Sequence, residues 1–219
     1  MVLPRFFSNS TVAAFLMSAL FYGPVHAQTA PEGESSEPPP LITAPEAQLA
    51  RPAAPGADVM ADSALDRLFA ELAKPDLPGW ELVEEEIWME WSKSGSAAMD
   101  LLLRRGRDAM AREDWVLAID HLTALIDHAP GFAEGYNARA TAYFQRGLYG
   151  PALQDIRAAI ALNPRHFGAL SGLGIILEEL DRPADALAAY RAVQQIHPHR
   201  ENVSTAIARL TQQVDGQTL

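Results

Sequence analysis

The sequence predicts an all-α fold, a solenoid of antiparallel helix hairpins, and three observations predict it. Marks recur 34 residues apart: Pro130, Pro164 and Pro198; Ala118, Ala152 and Ala186; Gly106, Ala140 and Gly174. Large apolar or aromatic residues keep the same phase, as in Leu102, Tyr136 and Leu170, or Leu122, Ile156 and Tyr190. Inside each unit the apolar positions fall at i, i+4 and i+7, which is one face of a helix, and each unit ends on a proline that a helix cannot continue through. The chain has no cysteine. Disulfides, thiolate metal sites and thiol nucleophiles are thereby excluded, and packing alone must hold the fold.

Residues 1–27 read as an export signal. Arg5 supplies the positive start, Thr11 to Tyr22 is uninterruptedly apolar apart from Ser18, Gly23 and Pro24 break the helix, and Val25-His26-Ala27 places small residues where a signal peptidase needs them. Cleavage is expected between Ala27 and Gln28. The apolar run falls short of the ~20 residues of a spanning helix. The alternative is an uncleaved anchor that would tether the protein to the membrane.

Residues 28–60 are rich in Pro, Ala, Glu and Ser, including Pro38-Pro39-Pro40, and contain no aromatic residue. Such a segment cannot bury enough apolar surface to offset its ordering entropy, so it is expected to be a disordered, extended linker.

Residues 61–98 hold two further helical patterns. Leu65, Leu68, Phe69 and Leu72 precede Pro75; Trp80, Val83, Ile87 and Trp91 oppose a face of Glu81, Glu84, Glu85, Glu86 and Glu90. Trp88 and Trp91 lie 34 residues before Leu122 and Leu125, which suggests a degenerate hairpin capping the array. The alternative is a detached element whose tryptophans bind a partner.

Three copies follow, at residues 99–132, 133–166 and 167–200. The small residue of each first helix (Gly106, Ala140, Gly174) admits its paired helix, and Ala118, Ala152 and Ala186 do the same from the second. Turns are expected at Glu113-Asp114, at Gly147 to Gly150 and at Asp181-Arg182-Pro183, with Pro151 and Pro183 suited to a first helical turn. In the final segment, 201–219, Val203, Ile207, Leu210 and Val214 form the stripe of a capping helix.

These residues together resemble the tetratricopeptide repeat family. The second copy carries the family pattern best, through Tyr136, Ala140, Tyr143, Ala152, Ile156, Ala159 and Pro164; the third is similar through Leu170, Leu173-Gly174, Leu177, Ala186, Tyr190 and Pro198. The first is looser, with Arg105 and Ala109 where larger apolar residues are usual. The resemblance implies a right-handed α-solenoid that binds proteins and is not an enzyme.

Composition agrees with that class. The net charge of -11 is concentrated upstream: 14 Asp/Glu against 4 Lys/Arg between Gln28 and Ala98, and 14 against 12 from Met99 onward. This disfavours nucleic acid and anionic lipid as partners, since both need a positive face. Arg104, Arg105 and Arg107 form the only dense basic cluster and read as a solvated flank. No zinc-protease, serine-hydrolase or phosphate-loop motif occurs, and Gly172-Leu173-Gly174 lacks the third glycine of a dinucleotide site. No two of the six histidines are spaced i, i+4. Neither metal nor cofactor is therefore expected.

The resemblance further implies a concave groove lined by the first helix of each copy. The groove positions are Leu103, Arg107 and Met110, then Asn137, Thr141, Phe144 and Gln145, then Ser171, Ile175, Glu178 and Glu179. An exposed Phe144 beside two amides suits a peptide or helix; the alternative packs it on the upstream hairpin. The family's clamp for a terminal carboxylate is not expected, because Leu103, Gly168 and Gly172 stand at its basic places. Glu178 and Glu179 instead suggest a partner segment with a basic end. With only two lysines, Lys74 and Lys93, beside many Ala and Arg, the composition points to a GC-rich bacterium, and an exported protein there resides in the periplasm. The oligomeric state and the partner's identity are not written in the sequence.

Overall fold

The computed structural model describes residues 64–217; the expected signal peptide, its Ala27–Gln28 cleavage point and the proline-rich linker lie outside the described residues. Among the described residues there are nine helices and no strand: α1 (Ala64–Leu72), α2 (Trp80–Trp91), α3 (Ala97–Ala111), α4 (Trp115–His128), α5 (Ala133–Gln145), α6 (Tyr149–Leu162), α7 (Phe167–Glu179), α8 (Pro183–Ile196) and α9 (Glu201–Gln217). None is long and apolar enough to cross a membrane.

The 34-residue period reappears in the backbone. Each hairpin from α3 onward turns through one left-handed residue, Glu113 at φ 60°, Gly147 at 69° and Asp181 at 53°, and these three are in phase. Only the middle one is glycine, the residue that adopts this conformation without steric cost. Asp114 caps α4 by accepting from the Leu117 amide at 3.1 Å.

Close helix approach follows the small residues. A Cβ added to Gly106 would lie 2.7 Å from Leu122 of α4, and one added to Gly174 would lie 2.7 Å from the Tyr190 ring of α8. Ala118, Ala152 and Ala186 are fully buried on the opposing helices. The close approach expected at the small residues is thus observed for α3 with α4 and for α7 with α8, where the glycine receives a large side chain of the opposing helix. Within its own hairpin Arg139 of α5 makes a bidentate pair with Asp155 of α6 (2.7 and 2.8 Å), and it reaches across to Thr123 of α4 in the preceding copy at 3.1 Å. The second copy is thereby tied to the first. Burial of Val203 and Leu210, with Ile207 and Val214 half-buried, places α9 over α8 as the terminal cover.

The upstream hairpin forms, but it does not stack in register before α3. Phe69 of α1 and Trp88 and Trp91 of α2 pack instead on Phe167 at the start of α7, at ring separations of 6.5, 5.4 and 4.8 Å. Trp80 lies on His197 and His199 of the α8–α9 junction, at 5.1 and 6.0 Å. The tryptophans expected to continue the core phase of Leu122 and Leu125 therefore serve another contact. The physical reason is a carboxylate: Glu84 points from the same face of α2 and requires cationic partners, which the α8–α9 junction supplies.

Candidate protein-docking site

The residues expected to line the groove sort into two groups. Toward the amino ends of α5 and α7 lies a dense polar network. Arg107 donates to Glu134 at 2.6 Å and to Ser92, just past α2, at 2.9 Å. Asn137 donates to the other Glu134 oxygen at 3.1 Å, and Thr141 donates to the Asn137 carbonyl. Glu134, buried like a core residue, also meets His166 Nε2 at 2.9 Å, while His166 Nδ1 accepts from the Ala169 amide and so caps α7. These two bonds assign the Nε2–H tautomer to His166. Burial would push the Glu134 carboxyl up, but the bonds from His166 and the charge of Arg107 outweigh it and hold the group below its ordinary range.

A second network repeats the first one junction later. His197 Nε2 meets Glu84 at 2.9 Å, Arg200 pairs with the other Glu84 oxygen, and Trp88 Nε1 donates to Glu84 at 3.1 Å. Arg200 stands 34 residues after His166. In that phase the residue matching Glu134 is Gly168, which has no carboxylate to offer. A Cβ at Gly168 would sit 2.4 Å from Trp88. The hairpin therefore fills the space that Gly168 leaves and provides the charge that Gly168 lacks. Burial works to raise the Glu84 carboxyl, yet the bonds from His197 and Arg200 prevail and bring it down to about 2.

The other group lies toward the carboxyl ends of α5 and α7. Phe144 is half-buried against Tyr149 of its own hairpin, at 5.7 Å, and Gln145 is exposed. The packing of Phe144 thus takes the turn side of its own repeat as well as the core. Ile175 is half-buried beside the main core. Glu178 accepts from Tyr190 at 2.9 Å and pairs with Arg209 of α9, so its charge is met within the chain. Glu179 is exposed, and its charge adds to the burial that raises the nearby Tyr149 hydroxyl. Leu103 departs from expectation: it is buried in a cluster with Leu122, Leu125 and Ala138, because an apolar side chain at this position gains by turning into the contact of α4 with α5. Met110 is half-buried.

Glu84, Trp88, Gly168, His197 and Arg200 were not among the expected site residues. A signal existed for Glu84, which falls at i+4 from Trp80 and i−3 from Ile87, inside the apolar stripe of α2. Among the described residues no three His, Cys, Asp or Glu side chains are grouped so as to hold a metal ion.

The tetratricopeptide repeat model matches residues 103–159 and 137–201. A TPR repeat-containing protein of Rhizobium etli is 33% identical over 153 residues, spanning 69% of this chain and 75% of its own. Small glutamine-rich tetratricopeptide repeat-containing protein 2 of Saccharomyces cerevisiae is 33% identical over 129 residues, 59% of this chain but only 36% of the yeast protein. Among solved structures, the first TPR of Spaghetti (RPAP3) bound to an HSP90 peptide aligns with a TM-score of 0.53 at 24% identity, covering 55% of this chain and 95% of that one. The Arabidopsis OM64 TPR domain aligns at 0.51 and 24%, covering 53% and 96%. With an all-helical array in 34-residue phase and this extent of likeness, the chain belongs to the tetratricopeptide repeat family.

Proposed function

We propose that this protein is an exported adaptor of the bacterial periplasm, without enzymatic activity, that holds another protein or peptide against the first helices of its repeat array. The observation that carries the reading is the face formed by α5 and α7. There Asn137, Thr141, Phe144 and Ile175 are half-buried and Gln145 is exposed. Such a face offers the Gln145 amide for a backbone and the Phe144 edge for a side chain. One structural neighbour was solved with an HSP90 peptide, and only that mode, a segment held by the array, is carried over. The chaperone-tail chemistry is not, since Leu103 is buried and Trp88 covers Gly168. For a partner with a basic end, Glu179 supports the idea and Glu178, already paired with Arg209, does not.

The test is a crosslinked pull-down from the native envelope with wild type and a Phe144→Ala, Gln145→Ala chain of unchanged helical signal; Asn137 is kept because it supports Glu134. A partner recovered by wild type and lost by the variant is expected. Identical recovery would sink the groove assignment. Amino-terminal sequencing of the native protein is expected to begin at Gln28; a chain beginning at Met1 favours the second reading, an envelope-tethered structural protein.

A further inference from the structure

Three side-chain atoms among the described residues are buried with no hydrogen-bond partner: Trp91 Nε1, His197 Nδ1 and Arg200 Nε. All three lie in the contact between the upstream hairpin and the array. An open cleft of about 210 Å³ runs along the same contact, between Leu65, Trp91 and Lys93 on one side and Phe132, Glu134 and His166 on the other. Buried polar groups in a permanently packed interface are almost always satisfied. The contacts among α3 to α7 meet that standard for the described residues. The hairpin contact does not.

The array side of this contact is nonetheless specific. Gly168 leaves a hollow that an indole fills, Phe167 supplies an aromatic floor, and Arg200 and His197 converge on one carboxylate. Arg200 also lies over the Phe167 ring at 4.9 Å, which fixes its guanidinium in place. The receptor is well formed, whereas its occupant fits it incompletely.

We propose that the surface beneath α2 is a docking site for a helix of another protein, and that α2 is its resident, displaceable occupant. The partner is an acidic amphipathic helix bearing a carboxylate with a large aromatic residue four positions after it, the arrangement of Glu84 and Trp88. The carboxylate pairs with Arg200 and His197, and the ring enters the hollow at Gly168. This rests on the adaptor reading and adds to it the site and the chemistry of the ligand.

The probe is a fluorescent peptide of residues 79–92, titrated by anisotropy into three full-length chains: wild type, Glu84→Ala with Trp88→Ala, and that double variant with Arg200→Ala added. A resident occupant lowers apparent affinity by the fraction of chains it leaves open, so the double variant is expected to bind at least about tenfold tighter than wild type. The added Arg200→Ala change is expected to abolish the gain. Far-UV circular dichroism confirms that the array is folded in each chain, and Glu84→Gln alone serves as a milder release. Binding no tighter in either released chain, with the array folded, overturns the proposal. A wild type that is a dimer, and becomes monomeric in the double variant, also overturns it, since the occupant is then a second copy. Loss of a native partner on Phe144→Ala, Gln145→Ala, without any peptide binding, leaves the adaptor reading standing and this one refuted.

Discussion

Gly168→Ala separates the two structural layers of this protein, because it acts on them with opposite sign. The added methyl would lie 2.4 Å from Trp88 Cη2. The ring cannot retreat freely, since Trp91, Phe167 and His166 surround it at 5.1, 5.4 and 5.6 Å. Overpacking of this kind costs about 1–3 kcal/mol, and here the cost falls only on the docked hairpin. Alanine in place of glycine in α7 favours the array by up to about 1 kcal/mol, docked or not. The docking equilibrium should therefore weaken by a factor of roughly 5 to 150, while the array melts at the same or a higher temperature. Three of the four tryptophans, Trp80, Trp88 and Trp91, sit in α2. Tryptophan emission and acrylamide quenching thus report docking, and far-UV circular dichroism reports the array. A red shift with increased quenching and an undiminished helical melt is the expected result. Unchanged emission with a lowered melt would refute the reasoning, for it would place the strain in the array and the indole elsewhere.

The remaining predictions rest on other contacts. Glu84 titrates at about 2 against an ordinary 4.5, so the stability it contributes is complete above pH 4.5 and is lost as pH falls toward 2. That difference converts to about 3 kcal/mol, and solvent at the rim reduces it to about 2 kcal/mol. Tryptophan emission should follow hairpin release across this range, and Glu84→Gln should remove most of the dependence; an identical acid profile in the variant would contradict it. Glu113→Gly relieves a left-handed residue at φ 60° and should stabilise the chain by about 0.5 kcal/mol after glycine's own entropy is counted, read from urea midpoints. A lower midpoint would show that the turn carries no strain. Asp155→Ala leaves Arg139 buried without its bidentate partner and should cost on the order of 3 kcal/mol by the same measurement, with a loss under 1 kcal/mol disproving the pair's role.

The array was legible in the sequence because its signals are local and repeat. Pro130, Pro164 and Pro198 end helices, Gly106 and Gly174 mark close approaches, and the stripe of Val203, Ile207 and Leu210 declares a cover helix, each from side-chain size and period alone. The two helices of the upstream hairpin were equally legible. Their destination was not. Counting back from Leu122 and Leu125 gave Trp88 and Trp91 a place in a repeat stack, since apolar spacing says that a ring is buried and nothing of what buries it. The decisive residue, Glu84, was assigned to the solvent with its acidic neighbours, although its position between Trp80 and Ile87 put it on the inner face. Groove phase says nothing of what a polar residue meets, so it could not foresee that Arg107 and Asn137 would both be engaged by Glu134. Glu178 looks like free charge in the sequence because Arg209, its partner, lies 31 residues away on another helix.

The contacts of Glu84 with His197 and Arg200 join residues 113 and 116 positions apart. Repeat arrays ordinarily fold through neighbours, each hairpin adding to the last with little loop to close. Here α1 and α2 must wait for the α8–α9 junction, across a span whose closure is entropically demanding among the described residues. The order of folding follows: the repeats assemble first by short-range steps, and the hairpin closes last, as a slower event of high contact order. Once closed, it ties the two ends of an otherwise linear array into one loop, so that unravelling from α9 also frees α1 and α2. A protein built to unzip one repeat at a time is thereby given a single latch.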